Sequence, residues 1–126
     1  MNYSIEFGGG PQDLTMTLTG SADARGIRAL VQDLLAHPSF RAELLILADL
    51  SELDTSTITM EEYETLGDVI GGRDHRYPAK AIAIVAPDQS TFDAAVRHRA
   101  YVGGSKSRRE VFHNRADATA WLADKR

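Results

Sequence analysis

The sequence contains no cysteine. A disulfide framework, a zinc–thiolate site and a thiol nucleophile are all excluded, and the chain suits a reducing compartment. Long apolar runs are missing as well, and nothing approaches the roughly 18 consecutive apolar residues that span a bilayer. The opening residues, MNYSIEF, lack a basic start followed by an apolar stretch. No signal peptide is therefore expected, and a cytoplasmic location is. Positive charge is in short supply, with 14 Lys and Arg against 18 Asp and Glu and a formal net charge of −4. That balance argues against general nucleic-acid binding. Signatures of catalysis are absent too. There is no Gly-x-Ser-x-Gly elbow, and His37, His75, His98 and His113 show no i, i+4 pairing for a metal. No enzyme activity, cofactor or metal is expected, although a Ser, His and Asp triad assembled only in space stays open.

What remains is a chain of 126 residues, 43% apolar and 25% charged, as expected for one domain spanning residues 1–126. A domain of that length buries roughly two-thirds of its unfolded surface in a single core. Its organising element is Lys80–Asp88, KAIAIVAPD, in which six apolar residues run from Ala81 to Ala86 between Pro78 and Pro87-Asp88. A short uninterrupted apolar run between turn signals reads as a strand buried on both faces. Leu44–Leu50, LLILADL, is a second such run, and a helical pattern separates the two. Together they form a βαβ unit with a right-handed crossover.

The other elements follow from periodicity. Tyr3–Phe7 and Leu14–Thr19 alternate apolar and polar residues around the turn cluster Gly8–Asp13, which predicts a β-hairpin. Ile27, Leu30, Val31, Leu34 and Leu35 form the apolar stripe of a helix from about Ala24 to His37, ended by Pro38. Ser51–Thr59 reads as a polar loop leading into a second helix from Thr59 to Val69 or Ile70, closed by Gly71-Gly72. A third helix is expected over Ser90–Val102 and a short strand over Arg109–Phe112. Asn114 should cap a fourth helix lying over the sheet edge, with Ala118, Trp121 and Leu122 inward. The order is ββαβαβαβα.

Ala81–Leu122 resembles the STAS/SEC14-type, SpoIIAA-like family of small bacterial domains. The resemblance lies in the strand ending Val85-Ala86-Pro87, in Phe92 opening the next helix, in Val111-Phe112, and in Ala120-Trp121-Leu122. It implies an α/β fold: a SpoIIAA-like (βα) superhelix on a mostly parallel, five-stranded mixed sheet with an N-terminal hairpin and four helices. It also implies a non-enzymatic interaction or regulatory role, with a protein partner or self-association. A small apolar ligand or lipid is the alternative implied by the SEC14-like relatives. Those relatives are longer and use extra helices as a lid, so a small apolar groove is expected here in place of a full lipid pocket.

Three sets of residues are candidates. Anti-anti-sigma STAS domains end a strand in Asp-Leu-Ser-Gly and open a helix with Asp-Ser-Ser-Gly, whose first Ser accepts phosphate. This chain has Asp49-Leu50-Ser51 and then Asp54-Thr55-Ser56, without either glycine and with a shorter spacer. The resemblance makes Thr55 and Ser56 the candidate phospho-acceptors, since a phosphate at a helix start can accept hydrogen bonds from free N–H groups. Glu61, Glu62 and Glu64 would repel it, and the preferred reading is that these residues cap and turn the chain.

The second set comes from strand ends. Open α/β sheets bind ligands beyond the carboxyl ends of their parallel strands, which marks Asp49, Ser51, Asp54 and Asp88 as a ligand or partner site. The third is electrostatic. Glu43 to Gly72 holds eight acidic residues and no Lys or Arg, whereas Arg97 to Arg115 holds six basic ones against Glu110. Arg97, Lys106, Arg108 and Arg109 are thus a candidate anion site, or half of a charge-complementary dimer, or, as preferred, solvated faces. Gly103–Ser107 is no Walker A loop, which needs four residues between its glycines and a strand before it.

Overall fold

The computed structural model describes residues 1–59, 61, 62, 64, 65, 68, 78–101 and 107–126. Alternating sequence at the N-terminus forms β1 (Asn2–Phe7) and β2 (Leu14–Ser21), an antiparallel hairpin in register from Asn2↔Thr19 to Phe7↔Leu14. Gly8 and Gly9 turn the chain with φ of 88° and 91°, values open to glycine and strained for other residues. Asp23 caps α1 (Ala24–Ala36), accepting from the Gly26 N–H at 2.5 Å. The expected end at Pro38 holds to within a residue.

The run at Leu44 forms β3 (Leu45–Asp54) and the run at Lys80 forms β4 (Ala81–Val85), all of whose residues are buried. α2 (Gln89–Tyr101), β5 (Arg108–Phe112) and α3 (Arg115–Asp124) complete the elements of the described residues. Three of the four expected helices are among them. The one expected over Thr59–Ile70 lies largely outside the described residues, as does the Gly103-Gly104 turn. Its start is visible: the Thr59 hydroxyl accepts from the Glu62 N–H at 3.1 Å, and Glu62 Oε1 accepts from the Thr59 N–H at 3.3 Å. This reciprocal capping box follows from the Thr-x-x-Glu spacing.

The five strands lie in the order β1-β2-β3-β4-β5, with every pair after the hairpin parallel. Period-two alternation sends Ile46, Ala48, Ile82 and Ile84 to one face, under α1 and α2. Leu45, Leu47, Ala81, Ala83 and Val85 go to the other, where α3 packs through Ala118 and Leu122. The last helix, expected over the sheet edge, is centred on β4, one strand in from the edge, and reaches both β3 and the edge strand β5, where Ala81, Ala83 and Ala118 leave room for it to come close.

A correction concerns Ser51–Thr59. Ser51–Asp54 continue β3 and pair with β2 as Thr19↔Glu52 and Ser21↔Asp54, beyond the last β3–β4 pair at Asp49↔Val85. The continuation passes through a bulge, since Thr17↔Asp49 is followed by Thr19↔Glu52. One extra residue on β3 shifts the alternation, so buried Leu53 and exposed Ser51, Glu52 and Asp54 coexist in one strand. A polar composition alone therefore hides the strand.

At the amino end, Asp13 ties the hairpin to β3. Its N–H donates to Leu45 O at 2.8 Å, and its Oδ2 accepts from the Leu45 N–H at 2.9 Å. Arg126 Nη2 lies 2.6 Å from Oδ1 and Arg41 Nη2 3.8 Å from Oδ2. Burial pushes the Asp13 carboxyl up, but the Leu45 N–H and the two guanidinium groups outweigh it and hold the carboxyl below its ordinary value of 3.8. Because the folded-state value lies below the unfolded one, this contribution is complete above about pH 4 and disappears as pH falls through the folded value. Asp13→Asn is expected to flatten the acid limb of a stability–pH profile below about pH 4, as measured by urea unfolding.

Candidate functional site

The carboxyl ends of the strands gather most of the polar residues singled out above, and each is engaged locally. Asp49 Oδ1 accepts from the Ser51 N–H at 2.9 Å and from the Ser51 hydroxyl at 2.5 Å. Its other oxygen pairs with Arg115 at 3.4 Å, across 66 residues of sequence. Asp54 Oδ1 accepts from the Ser56 N–H at 2.9 Å, and the Ser56 hydroxyl and N–H hold that carboxyl below its ordinary value. Asp88 caps α2, accepting from the Thr91 N–H at 3.2 Å, while the buried Thr91 hydroxyl donates to Leu53 O at 3.2 Å. Phe92 and His113 stack 3.9 Å apart and 8° from parallel beside it.

These contacts turn and cap the backbone, in keeping with the preferred reading of the polar loop. They do not converge into one site. Asp49 follows Leu45 and Leu47 on the α3 side, whereas Asp88 begins α2 on the opposite side. The strand order supplies the reason. A crevice at strand ends forms where the order of an α/β sheet reverses, and a sheet ordered β1 to β5 has no reversal. Asp49→Ala is expected to cost about 1–2 kcal/mol for the lost Ser51 and Arg115 partners. The exposed half of the pair, Arg115→Ala, should cost less than about 1 kcal/mol. Urea unfolding of the two variants checks both values.

The expected anion set is dispersed. Arg97 is exposed on α2, and Lys106 lies outside the described residues. Arg108 and Arg109 are consecutive on β5, so they point to opposite faces: Arg108 is exposed and Arg109 is half-buried.

The opening that the structure does contain is apolar. A cavity of about 150 Å³ lies between the sheet and the helices of the α1–α2 face. Met16 and Leu18 of β2, Ala48 of β3, and Ile82 and Ile84 of β4 form its floor, and Leu30 and Leu34 of α1 one wall. Ala94 and Ala95 of α2 form another. The cavity exists because α2 and β3 present alanines there, whose side chains end short of the space between the layers. Among the described lining residues only Thr55 and Arg109 are polar. Sequence reading expected a small apolar groove without placing it, since Ala94 and Ala95 look like ordinary helix-forming residues. The detectable signal was their size at inward positions otherwise filled by Leu or Ile.

A polar cleft of about 240 Å³ at the amino ends of the strands is lined by Asp13, Arg41, Glu43, Leu45, Lys80 and Arg126. Glu43 sits there with φ of 65°, and its N–H donates to Pro78 O at 2.8 Å. Among the described residues no group of three or more His, Asp or Glu side chains could hold a metal ion. No described helix is long and apolar enough to cross a membrane.

The geometry of sheet and helices decides the fold when set beside a known structure. A crystal structure of an uncharacterized protein of the DUF3478 family from Shewanella loihica PV-4, with a SpoIIAA-like fold, superimposes with a TM-score of 0.57. The match covers 96% of this chain and 92% of that one at 22% identity. The chain has a SpoIIAA-like fold. No protein-family model matches the sequence, and no curated protein does. Thr55 and Ser56 lie just after β3, with Ser56 exposed and Thr55 on the cavity wall.

Proposed function

We propose that this chain is a non-enzymatic STAS-like module that holds a small apolar molecule in the cavity between its sheet and the α1–α2 face. One observation carries the reading: a cavity of about 150 Å³ whose described lining is apolar apart from two residues. The space is partly open to solvent, and its volume is that of an enclosed aliphatic cavity that takes benzene or xenon. A diacyl lipid is far too large. The ligand is therefore benzene-sized, much smaller than the lipids implied by the SEC14-like resemblance.

Toluene is the direct probe, followed by methyl NMR of the full chain. Shifts confined to the Ile82, Ile84, Leu30 and Leu34 methyls are expected, together with a rise in unfolding temperature as toluene binds the folded state alone. A saturating titration without such shifts would sink the reading.

Partner binding is the second reading, supported by the exposed Ser56 in the turn that closes β3. A phosphate there would add about −1.5 to −2 charges beside Asp54 and alter any docking surface at the strand ends. Incubation with a serine kinase of the anti-sigma type and mass spectrometry tests it. Absence of phosphate on both Thr55 and Ser56 removes the phospho-switch.

A further inference from the structure

We infer that the outer edge of β1 pairs with the same edge of a second copy of this chain, joining two five-stranded sheets across a two-fold axis at Ile5. The inference is independent of the cavity. β1 stands first in the strand order, so only one side of it is paired. Along the other side every second residue turns its N–H and C=O away from β2. Folded proteins protect such edges by brevity, proline, lysine or a bulge. β1 has none of these: it runs for six residues, NYSIEF, in unbroken register with β2, and Glu6 is its single charge. The opposite edge of the sheet is protected. β5, RREVF, carries three charges in five residues. Laid antiparallel against itself about its centre, β5 would set Glu110 against Glu110. The contrast selects β1 as the edge for pairing. A two-fold pair through β1 is closed and leaves only the charged β5 edges outside, so growth stops at two copies.

The alternation along β1 sets the axis. Residues directly opposite in an antiparallel pair share a face of the sheet. An axis at Ile5 sets Ile5 against Ile5 and Tyr3 of each copy against Phe7 of the other. These are the three residues of β1 that pack against the cores, each half-buried. The apolar layer beneath α1 therefore continues across the seam, with an aromatic pair on either side of the axis. On the other face Glu6 of each copy meets Ser4, and no like charges are opposed. One strand pair is a small interface, and a dissociation constant on the order of 10–100 μM is expected.

Sedimentation equilibrium of the full chain across that concentration range should show monomer and dimer, with amide NMR shifts on dilution centred on Asn2–Phe7. Ser4→Glu sets a carboxylate against Glu6 at two symmetric places and should weaken the dimer about fivefold, whereas Ser4→Lys should tighten it by about as much. Ser4 is exposed, so both variants are expected to fold, and urea unfolding checks this. Weakening by both variants, or no response to either, overturns the axis at Ile5. A chain that stays monomeric throughout overturns self-pairing and leaves the edge to an extended segment of another protein. A dimer whose shifts lie away from β1, or growth beyond two copies, overturns it as well.

Discussion

Leu47→Ala is expected to lower the unfolding free energy by about 2–5 kcal/mol, the range for deleting a buried leucine from a core that cannot collapse. Leu47 is fully buried in the third of five strands and belongs to the cluster with Ala118 and Leu122 of α3. Its neighbours on that face, Ala81 and Ala83, are too short to move into the void. The cavity would therefore persist and the loss should lie in the upper part of the range. In urea, where a small domain loses about 1–3 kcal/mol per molar, the midpoint should fall by about 1 M or more. An unchanged midpoint would mean that α3 does not pack on β3 as described.

The opposite face should respond in the opposite way to added volume. Ala48→Leu places three extra carbons into the apolar cavity, at about 0.8 kcal/mol of burial per methylene. Rotamer fit offsets part of that gain, so unfolding free energy is expected to stay within about 1 kcal/mol of the parent. Toluene binding, by contrast, should weaken more than tenfold. Ala83→Leu is the matched comparison, one strand away but facing α3, where Ala83 is fully buried in the cluster with Ala118 and Leu122. Overpacking there is expected to cost about 1–3 kcal/mol. Equal losses for the two variants would show that the space beside Ala48 is not available to a side chain, and hence not to a ligand.

The contrast between these two alanines shows how far sequence reading reached. Both sit in runs that are recognisably buried strands, and nothing in either run distinguishes a tight face from a roomy one. The runs themselves were legible because continuous apolar segments of strand length have few other solutions. Asn114 was legible as a cap for a similar local reason, and it accepts from the Asp117 N–H at 2.8 Å. Asp49 and Asp88 were legible as strand-end residues, whereas the side of the sheet on which each lies was not. Their side chains leave on opposite sides of a sheet whose order never reverses. The Ser51–Asp54 extension escaped notice because a bulge interrupts the two-residue period that reveals a strand. Arg109 was singled out for its charge among loop neighbours, and its place in an apolar wall depends on a strand register that charge patterning does not contain.

The sequence by itself determined the elements and their order: the hairpin, the buried strands, the capped helices and the absence of cysteine chemistry. These depend on contacts within a few residues, where period, capping and turn chemistry act. Tertiary structure alone decided which face each helix covers, that α3 lies over β4 and its neighbours, and that Ala48 of β3 and the alanines of α2 line an apolar cavity. Those features depend on distances between residues tens of positions apart. They are set by the size of side chains meeting across layers, which is a property of the packed pair and of neither strand nor helix alone.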